Sequence, residues 1–204
     1  MQQAIQHLRH SKATQQLVEF WRNLPCPDGK FCPRRSDFSS AQINGSISEV
    51  FLSEWEDEES LRVVQSGTVL DRYIGIDMTG KNIFDMTPEE LVDDERTYYK
   101  ALRDQPCAGM ITRSMINFAN EPFVYRTIQL PLLDPFGDVR YFVGTGFLLT
   151  EEVVEKTFGR RSFRRTRLVE RKFFDIGAGL PAPEKAGQLS QGGPLHPPEP
   201  REKK

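Results

Sequence analysis

Three extended, largely apolar runs late in the chain constrain its fold most strongly. They cover residues 108–118, 123–132 and 139–149, and the turn-forming sequence Asp-Pro-Phe-Gly-Asp at 134–138 separates the last two. Connections this short join neighbouring antiparallel strands, because a parallel crossover needs a dozen or more residues. The sequence therefore predicts an antiparallel sheet built around three long strands.

Two shorter runs complete the predicted sheet. Residues 47–54 and 60–66 are rich in β-branched and aromatic residues, and the acidic sequence WEDEE lies between them, which predicts a hairpin. The irregular stretch 68–83 predicts short helical turns. The predicted class is α+β, with a five-stranded antiparallel sheet and helices on one face.

Two longer helices are predicted on either side of the hairpin. Residues 12–24 repeat apolar side chains at helical spacing and end at Pro25. Residues 88–104 also have a helical apolar face, and Thr87 with Glu90 predicts a capping box at the start of this helix. The same helix carries a group of acidic side chains that we interpret as a solvated face; they are Glu89, Glu90, Asp93, Asp94 and Glu95.

Composition divides the chain into four parts. We expect a flexible N-terminus at 1–11, a folded domain with its N-terminal helix at 12–150, and a basic extension at 151–176. Residues 177–204 are dominated by Gly, Pro and charged residues. Such a segment buries too little apolar surface to offset its ordering entropy, so the tail is predicted to be disordered.

Five short motifs follow one another through the folded part. They are W-x-x-L at 21–24, P-x-R-x-D at 33–37, an Arg to Gly-Thr segment at 62–68, G-x-D-x-T-G-K at 75–81 and L-P-L at 130–132. Together they resemble a family of short, stand-alone bacterial PAS-domain proteins typical of alphaproteobacteria. The resemblance covers about 12–150 and implies a sensory or regulatory module that acts in signalling through small-molecule or protein binding.

The resemblance also implies where a ligand would bind. In PAS folds the cavity lies between the inner sheet face and the small helices, and the matching side chains here are Leu70, Ile83, Phe84, Leu91, Met115, Thr127 and Phe147. The alternative is that these side chains fill the core completely. Arg113 or Arg126 could add an inward polar group, although an outward, solvated arginine is favoured.

The sequence argues against several kinds of chemistry. A phosphate-binding loop of the type G-x-x-x-x-G-K-[ST] fails at its last position, because Asn82 lacks the hydroxyl that holds Mg²⁺. The only histidines, at positions 7, 10 and 196, lie in the terminal segments, so a haem ligand or histidine base inside the core is not expected. The N-C-R motif of cysteinyl-flavin photosensors is absent. We therefore expect no enzyme activity and no metal site, and the sequence leaves the cofactor unidentified.

Partner binding is predicted at two places. The N-terminal helix presents Leu17, Phe20 and Trp21, which in PAS folds pack across a sheet or a second subunit and so favour a homodimer. The basic segment 160–172 contains two R-x-x-x-R pairs, and we assign their arginines to partner binding; they are Arg160, Arg161, Arg164 and Arg165.

The role of the basic segment stays open between two interpretations. As a helix it could pair with the acidic hairpin at 54–59 or with a partner protein. The alternative function is that of an anionic-ligand binder, in which the arginines hold a cyclic dinucleotide or nucleic acid. No apolar run is long enough for a membrane span or a secretory signal, so a cytoplasmic location is expected.

Overall fold

The strands occur in the predicted order, with one addition. The computed structural model describes residues 11–43, 47–117, 121–159 and 166–187. The strands are β1 (Val50–Asp57), β2 (Ser60–Gln65), β3 (Ala108–Ile116), β4 (Pro122–Leu133), β5 (Val139–Leu148) and β6 (Arg167–Phe174). They form one sheet in the order β2-β1-β5-β4-β3-β6, and every neighbouring pair is antiparallel.

The sixth strand corrects the predicted count of five. Residues 167–174, predicted as part of a basic extension, pair along β3 as an edge strand. Charged residues are common on edge strands, where they discourage pairing with other chains, so the basic composition hid the strand. Because β6 lies at the opposite edge from β1 and β2, it does not pair with the acidic hairpin.

Six α-helices occur in the described part of the chain. They are α1 (Lys12–Asn23), α2 (Thr68–Ile74), α3 (Ile83–Met86), α4 (Glu89–Asp104), α5 (Glu151–Phe158) and α6 (Pro183–Ala186). Cations on α4 hold the acidic hairpin instead of β6: Lys100 and Arg103 both bind Glu58 at 2.7 Å. None of the helices in the described ranges combines the length and apolar character that a membrane crossing requires.

The strand register gives the sheet two distinct faces. Arg113 of β3 lies opposite Tyr125 of β4, and Thr127 lies opposite Gly146 of β5. Since side chains alternate along a strand, these residues share one face, which we call the cavity face. Val124 and Phe147 point to the other side, which we call the outer face.

Helices cover both faces of the sheet, so the expectation of helices on one face holds only for α2, α3 and α4. On the outer face, α1 is fixed by a 2.7 Å hydrogen bond between the hydroxyls of Thr14 and Thr145. The indole N–H of Trp21 donates to the carbonyl of Pro131 at 3.0 Å. Farther along the outer face, Val154 of α5 packs on Val124 and Phe147.

The predicted capping box between α3 and α4 is corrected by a local hydrogen bond. The hydroxyl of Thr87 donates to the carbonyl of Ile83 at 2.9 Å, so Thr87 ends α3 and does not cap α4. Pro88 precedes the first residue of α4 without a side-chain cap. Asn82 caps α3 through Phe84 N and accepts a 3.0 Å bond from Leu61 N, which ties this loop to β2.

The predicted terminal segments are only partly described. Most of 1–11 and residues 188–204 lie outside the described residues. Residues 177–187, predicted to be disordered, fold back along α4, where Gln105 Nε2 donates to the carbonyl of Ala178. Helix α6 packs on α4 in the same region. This stretch therefore contacts α4, although its composition alone favoured disorder.

Candidate ligand-binding cavity

A cavity of about 90 Å³ lies between the cavity face and helices α2, α3 and α4. Its apolar wall is formed by Phe51, Val63, Leu70, Ile74, Ile76, Met78, Ile83, Met86, Pro88, Leu91 and Met115. The polar part of the wall consists of Ser66, Thr87, Glu95, Tyr99, Arg113, Tyr125 and Thr127. The side chains of the wall thus leave a space between them.

The carboxylate of Asp71 fixes the segment after α2, which covers the cavity. Asp71 on α2 accepts hydrogen bonds from Ser66 Oγ at 2.6 Å and from Met78 N at 3.1 Å. Gly75 ends α2 with a φ of 93°, a backbone conformation that glycine adopts without steric cost. The chain thereby reverses after α2, and Ile76 and Met78 fall over the cavity.

A charged pair lies on the polar side of the cavity. Arg113 on β3 and Glu95 on α4 are 8% and 1% exposed. The guanidinium holds the carboxylate with two parallel bonds, Nε to Oε1 and Nη2 to Oε2, the second at 2.7 Å. The third contact runs from Nη1 to Thr127 Oγ1 at 2.9 Å. This bidentate geometry is the strongest arrangement for an arginine and a carboxylate.

The pair continues into a buried hydrogen-bond network. Gln129 Nε2 donates to Thr127 Oγ1 at 2.7 Å, and the hydroxyl of Tyr98 donates to Gln129 Oε1. Gln129 Nε2 also lies 3.5 Å from the hydroxyl of Tyr99. Since these residues come from α4 and β4, the network fixes the helix that carries Glu95 against the sheet that carries Arg113.

The environment favours the charged form of Arg113 and the neutral form of the phenols. Burial opposes the charge of Arg113, but the adjacent Glu95 carboxylate outweighs it and holds the pKa of the guanidinium above its ordinary value. Burial raises the pKa of Tyr99 to about 12, and it raises the pKa of Tyr98 well above its ordinary value. At neutral pH the cavity wall therefore carries one positive group, one negative group and uncharged hydroxyls.

Five of the seven side chains predicted to line the cavity do so: Leu70, Ile83, Leu91, Met115 and Thr127. Two predictions are corrected. Phe84 points away from the cavity, where its ring packs against Trp55 with ring centroids 5.8 Å apart. Phe147 is on the outer face with Val124 and Val154, because its strand position differs by one residue from that of the cavity-face glycine Gly146.

The two charged residues of the site, Glu95 and Arg113, were predicted from the sequence to be exposed to solvent. Glu95 is buried, although it belongs to the acidic group expected to form a solvated helix face. Arg113 points into the domain, although an outward arginine was favoured. Arg126 is also buried, on the outer face, where it binds Glu170 of β6 at 3.0 Å. The alternation of side chains along the strand could have indicated the orientation of Arg113, because Arg113 lies two positions from Met115, a predicted cavity residue, and therefore on the same face.

The predicted partner-binding side chains have mixed placements. Leu17 and Trp21 are buried beneath α1 on the chain's own sheet, while Phe20 is half-buried against Phe38. While α1 is docked, Leu17 and Trp21 are therefore not accessible to a partner. The four predicted arginines of the basic segment, Arg160, Arg161, Arg164 and Arg165, lie outside the described residues.

The described cations of β6 make intramolecular contacts. Lys172 binds Glu170 at 2.7 Å, and Arg171 Nη1 donates to the carbonyl of Asp94 at 3.3 Å. Burial lowers the pKa of Arg171 despite the opposing effect of Asp94 and Glu95. This part of the basic segment thus braces α4 from the side of β6.

The side chains of the wall limit the kind of molecule that the cavity can hold. Its wall contains neither histidine nor cysteine, and no group of three or more metal-ligating side chains occurs within the described ranges. Its volume is below the roughly 300–1,000 Å³ of pockets that hold drug-sized ligands. The residues and the volume fit a compact molecule and do not fit a haem or a flavin.

Comparison with known proteins assigns the fold to a family. Residues 9–147 match the family described as PAS domain, whereas no curated protein sequence matches the chain. Similar solved structures include a Rhodobacter sphaeroides LOV protein, which is 20% identical over 52% of this chain and 62% of its own, with a TM-score of 0.42. A Vibrio cholerae VqmA dimer is 13% identical over 53% and 51%, with a TM-score of 0.41. A Vivid variant is 13% identical over 68% and 94%, with a TM-score of 0.43. Because the sequence match spans more than half of the 204 residues, the chain belongs to the PAS domain family.

Proposed function

We propose that this chain is a non-catalytic sensory module that binds a small molecule in the cavity and signals its presence through altered packing. The observation that carries the proposal is the buried Glu95–Arg113 pair on the wall of a mostly apolar cavity. Replacing a buried ion pair by apolar residues is often neutral or stabilising, so such a pair is poorly explained by stability alone. A few convergent polar groups in an apolar cavity are typical of ligand sites.

The apolar wall supports a compact ligand and some adjustment of shape. Three of the five methionines in the sequence line the cavity: Met78, Met86 and Met115. Methionine side chains are unbranched and adapt to irregular contours more easily than branched residues do. Binding therefore requires only local rearrangement of the wall.

Strand β5 supports a route from the cavity to α1. Phe51 lines the cavity and packs so closely on Gly144 that a Cβ at Gly144 would overlap its ring. The next residue, Thr145, points to the outer face and holds Thr14 of α1. A ligand that displaces Phe51 would thus shift the strand on which α1 rests. Release of α1 would expose Leu17 and Trp21 to a second chain, and homodimerisation follows from this step.

The finer features of the module follow from the motif resemblance. We propose that the chain is a bacterial signalling protein, that it acts in the cytoplasm, and that its output is binding to protein partners. We propose that its polar cavity groups bind a ligand and do not attack it.

Filling the cavity tests the proposal. Leu70→Phe enlarges a side chain of the wall, and Leu148→Phe is the matched control because Leu148 is 41% exposed and lies outside the cavity. Both variants and the parent chain are screened for thermal stabilisation by a library of small polar-headed compounds. We expect compounds that stabilise the parent and the control but not Leu70→Phe. A library without stabilising compounds, or hits that survive Leu70→Phe, would contradict the proposal.

A further inference from the structure

We infer that the cavity selects an uncharged ligand whose polar end both donates and accepts hydrogen bonds, such as a small aliphatic amide. This inference rests on the proposed function and names the class of molecule that the same site takes. It follows from the charge balance of the wall, from the hydrogen bonds that Glu95 and Arg113 still have available, and from the size of the cavity.

The charge balance excludes a charged ligand. Among the described residues of the wall, Glu95 and Arg113 are the ionised groups at neutral pH, and they neutralise each other. A carboxylate or ammonium placed beside them would add a third, unpaired charge in a mostly apolar space. Burying a charge without a partner costs far more than burying a hydrogen-bonded neutral group.

The unused hydrogen-bonding capacity of the pair defines the polar end. Arginine has five N–H donors, and contacts with the described residues Glu95 and Thr127 use three of them. Of the two terminal N–H groups that remain, one is used by the hydroxyl of Tyr99, which hydrogen-bonds with Arg113, and the other is left for an acceptor. Each carboxylate oxygen of Glu95 accepts one of these bonds and has a second lone pair. An amide satisfies both partners, because its carbonyl accepts from Arg113 and its N–H donates to Glu95.

The size of the cavity limits the apolar end to a few carbon atoms. An engineered cavity of about 150 Å³ holds benzene, and the cavity here has about 90 Å³. Propionamide therefore serves as a probe, and propionate and propylammonium are its anionic and cationic counterparts of similar shape.

Methionine methyl groups report binding directly. In the chain labelled with ¹³C-methyl methionine, propionamide is expected to shift the signals of Met78, Met86 and Met115. Met110 is buried on the outer face and serves as the internal control. Propionate and propylammonium are expected to have affinities at least about tenfold lower than that of propionamide, a difference in binding free energy of about 1.4 kcal/mol.

The outcomes separate the inference from the proposed function. If propionate or propylammonium shifts the three cavity methyls as strongly as propionamide does, the selection of an uncharged ligand is wrong and the ligand site stands. If none of the three probes shifts them, the inference fails and the proposed function loses its support as well.

A charge variant inverts the expected selectivity. Glu95→Gln leaves Arg113 as an unpaired positive group, so propionate should bind this variant more tightly than propionamide does. Glu89→Gln is the matched control, because Glu89 is an exposed glutamate on the same helix. If Glu95→Gln does not fold, Arg113→Gln provides the mirror test with propylammonium. An unchanged order of probes in a folded charge variant would overturn the inference.

Discussion

Removing the buried pair one residue at a time, and then together, should give strongly non-additive losses of stability. The variants are Glu95→Leu, Arg113→Met and the double replacement. Each single variant leaves the other charge buried at a site that is 8% exposed or less. The double variant leaves apolar side chains of similar length, while Thr127 keeps its bond from Gln129.

The magnitude follows from the geometry of the pair. Breaking a buried ion pair by removing one partner costs about 3–5 kcal/mol, because the remaining charge has no compensation. Glu95→Leu abolishes both bonds of the fork, and Arg113→Met removes the bond to Thr127 as well. Independent losses would sum to about 6–10 kcal/mol, which approaches the whole stability of a typical domain. We expect the double variant to lose less than about 2 kcal/mol.

Urea unfolding followed by circular dichroism and tryptophan fluorescence measures all four chains. The free energies of unfolding then give the coupling energy of the double-mutant cycle. A double variant that loses as much as the sum of the single variants would refute the assignment of Glu95 and Arg113 as a coupled pair. A stable double variant that no longer binds propionamide would show that the pair serves recognition.

Four further predictions test the packing of the domain. Trp21→Phe removes the bond to the Pro131 carbonyl and should cost about 1–3 kcal/mol in urea unfolding, whereas Trp21→Ala should cost about 3–5 kcal/mol; equal losses would contradict the docking of α1. A thiol reagent at neutral pH should modify Cys26, which is exposed, and should reach the two buried cysteines only after unfolding. Burial raises the pKa of Cys107 from 9.0 to about 12, so the folded state holds this proton more tightly than the unfolded state does. The free energy of unfolding should therefore fall as the pH rises between these values, and Cys107→Ala should make this fall less steep. Gly144→Ala should prevent folding or cost several kcal/mol, because its Cβ would overlap the backbone of β4; a native-like melting temperature would rule out this register.

The elements with strong local patterns were predictable from the sequence. The third predicted strand, 139–149, corresponds to Val139–Leu148, and the helix predicted at 88–104 corresponds to Glu89–Asp104. Both have a recognisable apolar pattern and are bounded by turn residues or proline, so local preference and burial agree. The antiparallel PAS-like sheet is confirmed for the same reason, with six strands in place of five.

The features that depend on distant partners were not predictable. Whether Glu95 faces solvent or the cavity depends on Arg113, which lies 18 positions away on another element. A charged residue on a helix is solvated by default, and only the sheet that packs against it changes that outcome. The prediction that Phe147 lines the cavity was wrong for a different reason, because an error of one position along a strand moves a side chain to the opposite face of the sheet.

The geometry of the cavity depends on residues beyond the family match. The match ends at residue 147, while β6 follows it and places Arg171 against the carbonyl of Asp94, the residue next to Glu95. Phe173 of the same strand packs on Tyr98, with ring centroids 5.6 Å apart. Helix α4 is therefore held from the cavity side by Arg113 and from the edge of the sheet by β6. Because both contacts bear on one turn of α4, a movement of Glu95 is expected to change the contact between α4 and β6 as well.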